Sequence, residues 1–167
     1  MKSITTSRAI GAPVGRVFET VATPAGFSSA VPQIVDIEYL SNQRRGAGTR
    51  FRETRIMRGK EAATVLEVIE FVENQRVRYV SDAGGTVWDT VFTVTPTDET
   101  IGDSARDPLA AHGNATRLTM TMEARPHKFL ARLMTPLIIG VVAKAVEADM
   151  DAVKEYCEGG GTVAQSA

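Results

Sequence analysis

The feature that most constrains the fold of this chain is a long apolar segment near its end, residues 126–156. Read at helical spacing, charged side chains such as Lys144, Glu147 and Asp151 fall on one face. The opposite face carries the apolar side chains Leu130, Met134, Leu137, Ile138, Val141, Val142, Ala145, Ala148, Ala152 and Tyr156. This pattern predicts an amphipathic helix that lies on a core. The preceding chain must therefore supply a second apolar layer.

Most of the preceding chain is predicted to form strands, because its apolar residues alternate with polar ones between turn residues. The order begins with a strand over 4–10 and two short helices over 14–21 and 25–31, the first of them preceded by Pro13. Six further strands follow at 34–40, 50–57, 62–71, 77–81, 87–95 and 116–124. The sequence therefore predicts an α+β fold of the order β-α-α-β6-α, with a curved antiparallel sheet wrapped round the long C-terminal helix.

The chain is expected to be one domain over residues 1–158, with a polar loop insertion at 97–114 and a disordered tail at 159–167. Its 167 residues carry a formal net charge of −1 and a single cysteine, Cys157, so no internal disulfide can form. The start of the chain lacks the apolar stretch of a signal peptide. The apolar run 137–142 is too short to span a bilayer. We therefore expect a cytoplasmic protein without stable membrane insertion.

Two strands indicate which side chains point into the concave side of the sheet. In the last strand Leu118, Met120 and Met122 share one face. In strand 50–57, Glu53 and Arg55 share a face with Phe51. Buried charges are costly unless they are paired. These two should therefore pair with each other, contact water, or orient a polar group of an otherwise apolar ligand. Strand 62–71 has apolar residues at both parities, which is consistent with a β-bulge.

These faces define a predicted ligand-binding set between sheet and helix. It comprises Phe27, Phe51, Glu53, Arg55, Tyr79, Trp88, Phe92, Leu118, Met120, Met122, Met134, Leu137 and Val141. An ordinary filled core would use the same residue types, so the prediction requires the helix to stand off from the sheet.

An ordered series of short stretches runs along almost the whole chain. It comprises Ala12-Pro13 with Val17-Phe18, Pro24, Pro32, Gly48-Thr49-Arg50-Phe51, the segment Phe92 to Pro96, Thr116-Arg117-Leu118-Thr119, and Leu133-Met134-Thr135-Pro136-Leu137. In this arrangement the chain resembles the START-related polyketide cyclase/dehydrase and lipid-transport superfamily (SRPBCC), which has the helix-grip fold. The resemblance implies a deep apolar cavity under the C-terminal helix. It does not imply a particular reaction, because binders, carriers and enzymes share this fold.

Three functions follow as hypotheses. The first is binding or carriage of a hydrophobic small molecule, such as a lipid, polyketide or isoprenoid. The alternative is a cyclase or dehydratase acting on a poly-carbonyl substrate, with Glu53 and Tyr79 as candidate acid–base groups. The third is a subunit, for example of a homodimer, that packs an exposed helix face with Ile139, Val146 and Met150 on a partner.

Other chemistries lack the required patterns. His112 and His127 are far apart and Cys157 is the only cysteine, so no metal site is predicted. No cofactor is expected, because no phosphate-binding glycine loop or dinucleotide fingerprint is present. The basic run over residues 44–60 is followed by the acidic residues of the next strand, which should neutralise much of it. We therefore expect no nucleic-acid partner.

Overall fold

The computed structural model describes residues 2–98 and 114–159. The strands are β1 (Lys2–Ile10), β2 (Ile34–Tyr39), β3 (Arg50–Met57), β4 (Lys60–Val72), β5 (Arg76–Ala83), β6 (Thr86–Pro96) and β7 (Thr116–Pro126). The helices are α1 (Val14–Ala22), α2 (Pro24–Ala30) and α3 (Phe129–Glu158). Most of the predicted loop insertion, 99–113, and of the predicted tail, 160–167, lies outside the described residues.

All seven strands belong to one antiparallel sheet in the order β1-β7-β6-β5-β4-β3-β2. The two short helices connect β1 to β2, and the long helix follows β7. The predicted curved sheet with a long C-terminal helix is confirmed. The strand boundaries agree closely with those predicted from the alternation of apolar and polar residues. The alternation stops at each hairpin turn, where glycine or polar residues allow the chain to reverse direction. Arg58 and Gly59, for example, both have positive φ in the β3–β4 turn.

A β-bulge in β4 explains the ambiguous parity of that strand. The register with β5 shifts between Val68, which faces Tyr79, and Glu70, which faces Arg78. Ile69 is the extra residue and is exposed. The extra residue reverses which side of the sheet the following side chains face. Val68 before the bulge is therefore buried, and Phe71 after it packs on the core as well, although the two residues have opposite parity in the sequence.

The buried face of α3 agrees only in part with the predicted one, of which Val142, Ala152 and Tyr156 pack against the core. Its buried side chains are Ala131, Thr135, Val146, Asp149, Met150, Val153 and Cys157. The predicted core residues Leu130, Met134 and Leu137 are exposed. Val146 and Met150, predicted as part of an exposed partner face, are almost completely buried. Several stripes with a spacing of three or four residues fit this apolar helix, so its periodicity alone could not choose the buried one.

Helix α3 also bears on the expectation about membranes. By length and composition alone α3 is long and apolar enough to cross a membrane, a property that core helices of soluble proteins share. Of its most apolar 18 residues, only 17% are buried. The apolar run is therefore longer than the short segment 137–142 considered from the sequence, and much of it lies at the surface.

The corrected helix face leads to a stability prediction. Met150→Ala should lower the free energy of unfolding by about 2–5 kcal/mol, because a buried methionine leaves a cavity in the core. Leu137→Ala should change it by less than about 0.5 kcal/mol, because that side chain is exposed. Urea denaturation of both variants measures the difference. A larger loss for Leu137→Ala than for Met150→Ala would contradict the observed orientation of α3.

Candidate functional site: a cavity beneath the C-terminal helix

A half-open cavity of about 330 Å³ lies between α3 and the concave face of the sheet. This volume is at the lower end of the range for small-molecule sites. Its walls are Pro24, Phe27, Phe51, Glu53, Arg55, Met57, Thr64, Leu66, Tyr79, Ser81, Ala83, Trp88, Thr90, Phe92, Met120, Met122, Ile138, Val142, Ala145, Val146 and Asp149. Most of these side chains are apolar, so the cavity suits a largely apolar ligand.

Aromatic side chains form one part of the cavity wall. The ring of Phe92 lies edge-on to Phe27 and to Tyr79, with centroids 5.7 and 6.3 Å apart. Phe51 meets Tyr79 in the same way at 6.2 Å. Such edge-to-face pairs restrain one another beyond simple apolar burial. This part of the wall is therefore a continuous aromatic surface built from α2, β3, β5 and β6.

The hydroxyl of Tyr79 has a structural partner. It donates a hydrogen bond of 2.8 Å to the backbone carbonyl of Val21 at the end of α1. Burial, with a smaller contribution from the charge of Glu53, raises the pKa of Tyr79 well above its ordinary value. A phenol that is committed to a backbone carbonyl and resists ionisation is a poor acid–base group at neutral pH. Tyr79 is therefore better explained as the anchor between α1 and the sheet.

A charged cluster of three residues interrupts the apolar wall. Arg55 donates from Nε to Oε1 of Glu53 at 2.5 Å and from Nη1 to Oδ2 of Asp149 at 2.9 Å. The side chains of Arg55, Glu53 and Asp149 are only 19, 11 and 10% exposed, respectively. The Arg55 guanidinium also lies 5.9 Å from the centroid of the Phe27 ring. The cluster therefore links the sheet to α3 across the cavity.

Burial and pairing act in opposite directions on these ionisable groups. Desolvation and, to a smaller extent, the negative charge of Glu53 raise the pKa of Asp149, and together they outweigh the opposing attraction of Arg55. The pKa of Arg55 is raised because the attraction of Glu53 and Asp149 together exceeds its own desolvation, which acts to lower it. Two carboxyl groups share one guanidinium. The cluster can therefore offset its excess negative charge by holding a proton on Asp149 or by binding a polar group of a ligand.

The structure places most of the predicted binding residues in the cavity wall. Those that line it are Phe27, Phe51, Glu53, Arg55, Tyr79, Trp88, Phe92, Met120 and Met122. Their contact with a ligand stays a prediction. Glu53 and Arg55 form the ion pair that was one of the predicted alternatives. Both residues also line the cavity, so a contact with a polar group of a ligand stays a prediction.

Four predicted residues do not line the cavity. Leu118 is fully buried in the core near the start of β7. Met134 and Leu137 are exposed on the outer side of α3. Val141 is half-buried beside the cavity-lining Val142. The helix presents Ile138, Val142, Ala145, Val146 and Asp149 to the cavity instead.

Sequence reasoning missed Asp149. The only available signal was an alternative stripe on the helix, in which Val142, Val146, Met150 and Val153 recur at spacings of three and four. Asp149 lies within that stripe, and an acidic residue on an apolar helix face indicates a buried partner or a functional site. The partner, Arg55, is 94 residues away in the chain, so only the fold brings them together.

Outside the cavity, several charged residues of the strands, loops and α1 form ion pairs. Arg52 pairs with Glu38, and Arg45 bridges Glu19 and Glu73 at 3.1 and 2.8 Å.

Within residues 2–98 and 114–159, no group of three histidine, cysteine or carboxylate side chains is placed to hold a metal ion. Cys157 is buried, and burial raises the pKa of its thiol, which makes it a weak nucleophile.

The raised pKa of Asp149 leads to a prediction about pH and stability. The unfolded chain ionises Asp149 near its ordinary value of 3.8, whereas the folded protein does so only at higher pH. Wild type should therefore lose stability relative to Asp149→Asn as the pH rises from about 3.8 through the raised pKa. Urea denaturation at several pH values measures this difference.

The matched control is Asp36→Asn, because Asp36 is exposed on β2 and makes no ion pair with any described residue. The Asp36→Asn variant should keep the pH-dependent difference from Asp149→Asn, because its Asp149 is unchanged. A pH-independent difference between wild type and Asp149→Asn would show that the Asp149 carboxyl is ionised in the folded protein at the same pH as in the unfolded chain.

Comparison with known proteins agrees with this architecture. The family model described as polyketide cyclase / dehydrase and lipid transport matches residues 1–158. No curated protein sequence matches the chain significantly.

Solved structures share the fold at low sequence identity. TTHA0849 from Thermus thermophilus superposes with a TM-score of 0.71 at 20% identity, covering 96% of this chain and 100% of that one. A START superfamily protein from Mycobacterium smegmatis gives a TM-score of 0.67 at 13% identity, covering 94% and 97%. A norcoclaurine synthase point mutant from Thalictrum flavum, solved with a transition-state analogue, gives 0.61 at 15% identity, covering 93% and 95%. The cavity beneath α3 and the match over residues 1–158 lead to one conclusion: the chain belongs to the polyketide cyclase/dehydrase and lipid-transport family.

Proposed function

We propose that the protein binds and carries a hydrophobic small molecule of the lipid, polyketide or isoprenoid type in the cavity beneath α3. The observation that carries the proposal is the combination of a mostly apolar cavity with a charged cluster at its wall. Apolar burial supplies affinity without direction, and a few placed polar groups supply orientation. Membership of a family that includes lipid-transport proteins supports the same conclusion.

The charged cluster favours one kind of polar group on the ligand. Arg55 already faces two carboxyl groups, Glu53 and Asp149, so it has no unbalanced positive charge to offer. A ligand carboxylate would add another negative charge to a poorly solvated site. A hydroxyl can donate to a carboxylate oxygen, and a carbonyl can accept from Arg55 or from protonated Asp149. The ligand is therefore expected to be an alcohol or a carbonyl compound and not a free acid.

Filling the cavity tests the proposal. Ala145→Phe should weaken binding of the neutral fluorescent probe N-phenyl-1-naphthylamine at least tenfold, because Ala145 lines the cavity and the added ring occupies it. Ala148→Phe is the matched control, since Ala148 lies on the same helix but is exposed. Fluorescence titration measures both. Equal probe binding by wild type and Ala145→Phe would place the probe elsewhere and contradict the proposal.

A second experiment tests the ligand class. Dodecan-1-ol should displace the probe at a concentration at least tenfold lower than dodecanoate does at pH 8. Glu53→Gln should narrow this difference, because it leaves Arg55 with one carboxyl partner and more positive potential. A preference of the wild type for dodecanoate would contradict the proposed selection of alcohols and carbonyl compounds by the cluster. It would not contradict the proposal that the cavity binds an apolar ligand.

The alternative function is that of a cyclase or dehydratase acting on a poly-carbonyl substrate in the same cavity. Asp149 favours it, because a carboxyl group with a raised pKa beside an arginine can donate a proton to a substrate oxygen. Native mass spectrometry can identify the compound that co-purifies with the protein. Conversion of that compound by wild type, with binding but no conversion by Asp149→Asn, would establish the enzyme over the carrier.

A further inference from the structure

The N-terminal half of α3 exposes a continuous apolar face. Phe129, Leu130, Leu133 and Leu137 are 85, 69, 68 and 71% exposed. Their spacing of three and four residues places them on one side of the helix, opposite the buried Ala131 and Thr135 described above. Single exposed leucines are ordinary, but a contiguous apolar face of this kind marks an interaction surface. We call these four residues the outer face of α3.

Positive charge surrounds the outer face of α3. The segment 124–146 contains no aspartate or glutamate, although the whole chain has a net charge of −1. Lys128, Arg132 and Lys144 are exposed and make no ion pair with any carboxylate in the part of the chain that the structure describes. Arg125, in contrast, is already paired with Glu123 and Asp89. An exposed apolar helix face beside unpaired basic residues is the composition of a helix that lies in the surface of an anionic membrane.

The outer face of α3 adjoins the mouth of the cavity. The exposed lining residues Met57 and Ile138 indicate where the cavity opens, and Ile138 follows Leu137 directly on α3. A surface that contacts this face would therefore also contact the cavity entrance.

We propose that the outer face of α3 docks on the surface of an anionic lipid membrane, with Lys128 and Arg132 contacting lipid phosphates. The link to cargo, in which the docked protein exchanges its ligand directly with the bilayer, rests on the proposed carrier function; the docking itself does not. A second copy of the chain fits the surface less well. A twofold contact through this face would bring the same unpaired basic residues of both copies close together.

Co-sedimentation with vesicles tests the docking. Wild type should bind vesicles of phosphatidylcholine and phosphatidylglycerol at 3:1, and bind vesicles of pure phosphatidylcholine at least tenfold more weakly. Binding to the anionic vesicles should fall as NaCl is raised to 0.5 M, because salt screens the charges. The double variant Leu133→Ser, Leu137→Ser should bind about tenfold more weakly, and Lys128→Gln, Arg132→Gln should remove the preference for anionic lipid.

The matched control is Val35→Ser, Ile69→Ser, which removes two exposed apolar side chains from the sheet and should leave vesicle binding unchanged. Circular dichroism and probe binding should be preserved in all three variants. Equal binding of wild type and the leucine variant, or no binding to either vesicle, would overturn the proposal. A wild-type dimer that the leucine variant abolishes, without vesicle binding, would assign the face to a second copy instead.

The outcomes also separate docking from carriage. Vesicle binding by a protein that fails to bind the naphthylamine probe would uphold docking and refute the proposed ligand site. Binding of the probe without binding to vesicles would support the proposed ligand site and refute docking.

Discussion

The attachment of the C-terminal half of α3 to β1 and α1 is the constraint on which the rest of the structure depends. Arg8 of β1 holds Glu147 and Asp151 at 2.5 and 2.7 Å, and Lys154 donates to the carbonyl of Ala9. Met150, Val153 and Cys157 are buried on the same side of the helix. Because the C-terminal end of α3 is held by these contacts, it sets the position of the rest of the helix over the sheet. The middle of the helix, from Ile138 to Asp149, then spans the concave face and leaves a cavity beneath it.

This asymmetry gives one helix two surfaces of different character. Its inner side closes a cavity whose walls are mostly apolar, with Glu53, Arg55 and Asp149 as their charged members. Its outer side, over the first two turns and beyond, is apolar and exposed. A protein that carries an apolar molecule must take it up from somewhere and release it. An exposed apolar face at the cavity entrance is consistent with exchange of the carried molecule directly with a lipid membrane and not through water.

The charged cluster is the feature by which the cavity can discriminate among apolar ligands. Apolar contacts distinguish molecules mainly by size and shape, whereas unpaired buried polar groups exclude ligands that cannot satisfy them. In this cluster the two carboxyl groups outnumber the guanidinium, so the protonation of Asp149 and the polar group of the ligand are coupled. A bound hydroxyl would compete with the proton for the same oxygen atoms. The same geometry would serve an enzyme that protonates a carbonyl, which is why binding and catalysis must be separated by experiment.

The sequence by itself determined the order of the elements and the inward side of most strands. Alternation with period two is unambiguous where one face is buried, so Phe51, Glu53 and Arg55 on β3 and Met120 and Met122 on β7 could be assigned to the concave side. Only the tertiary structure decided which face of α3 is buried. That helix is apolar on several sides, and its orientation depends on contacts with β1 and α1, distant in the chain. For the same reason the partner of Asp149 could be found only in the fold, because Arg55 is 94 residues away and no local pattern connects the two.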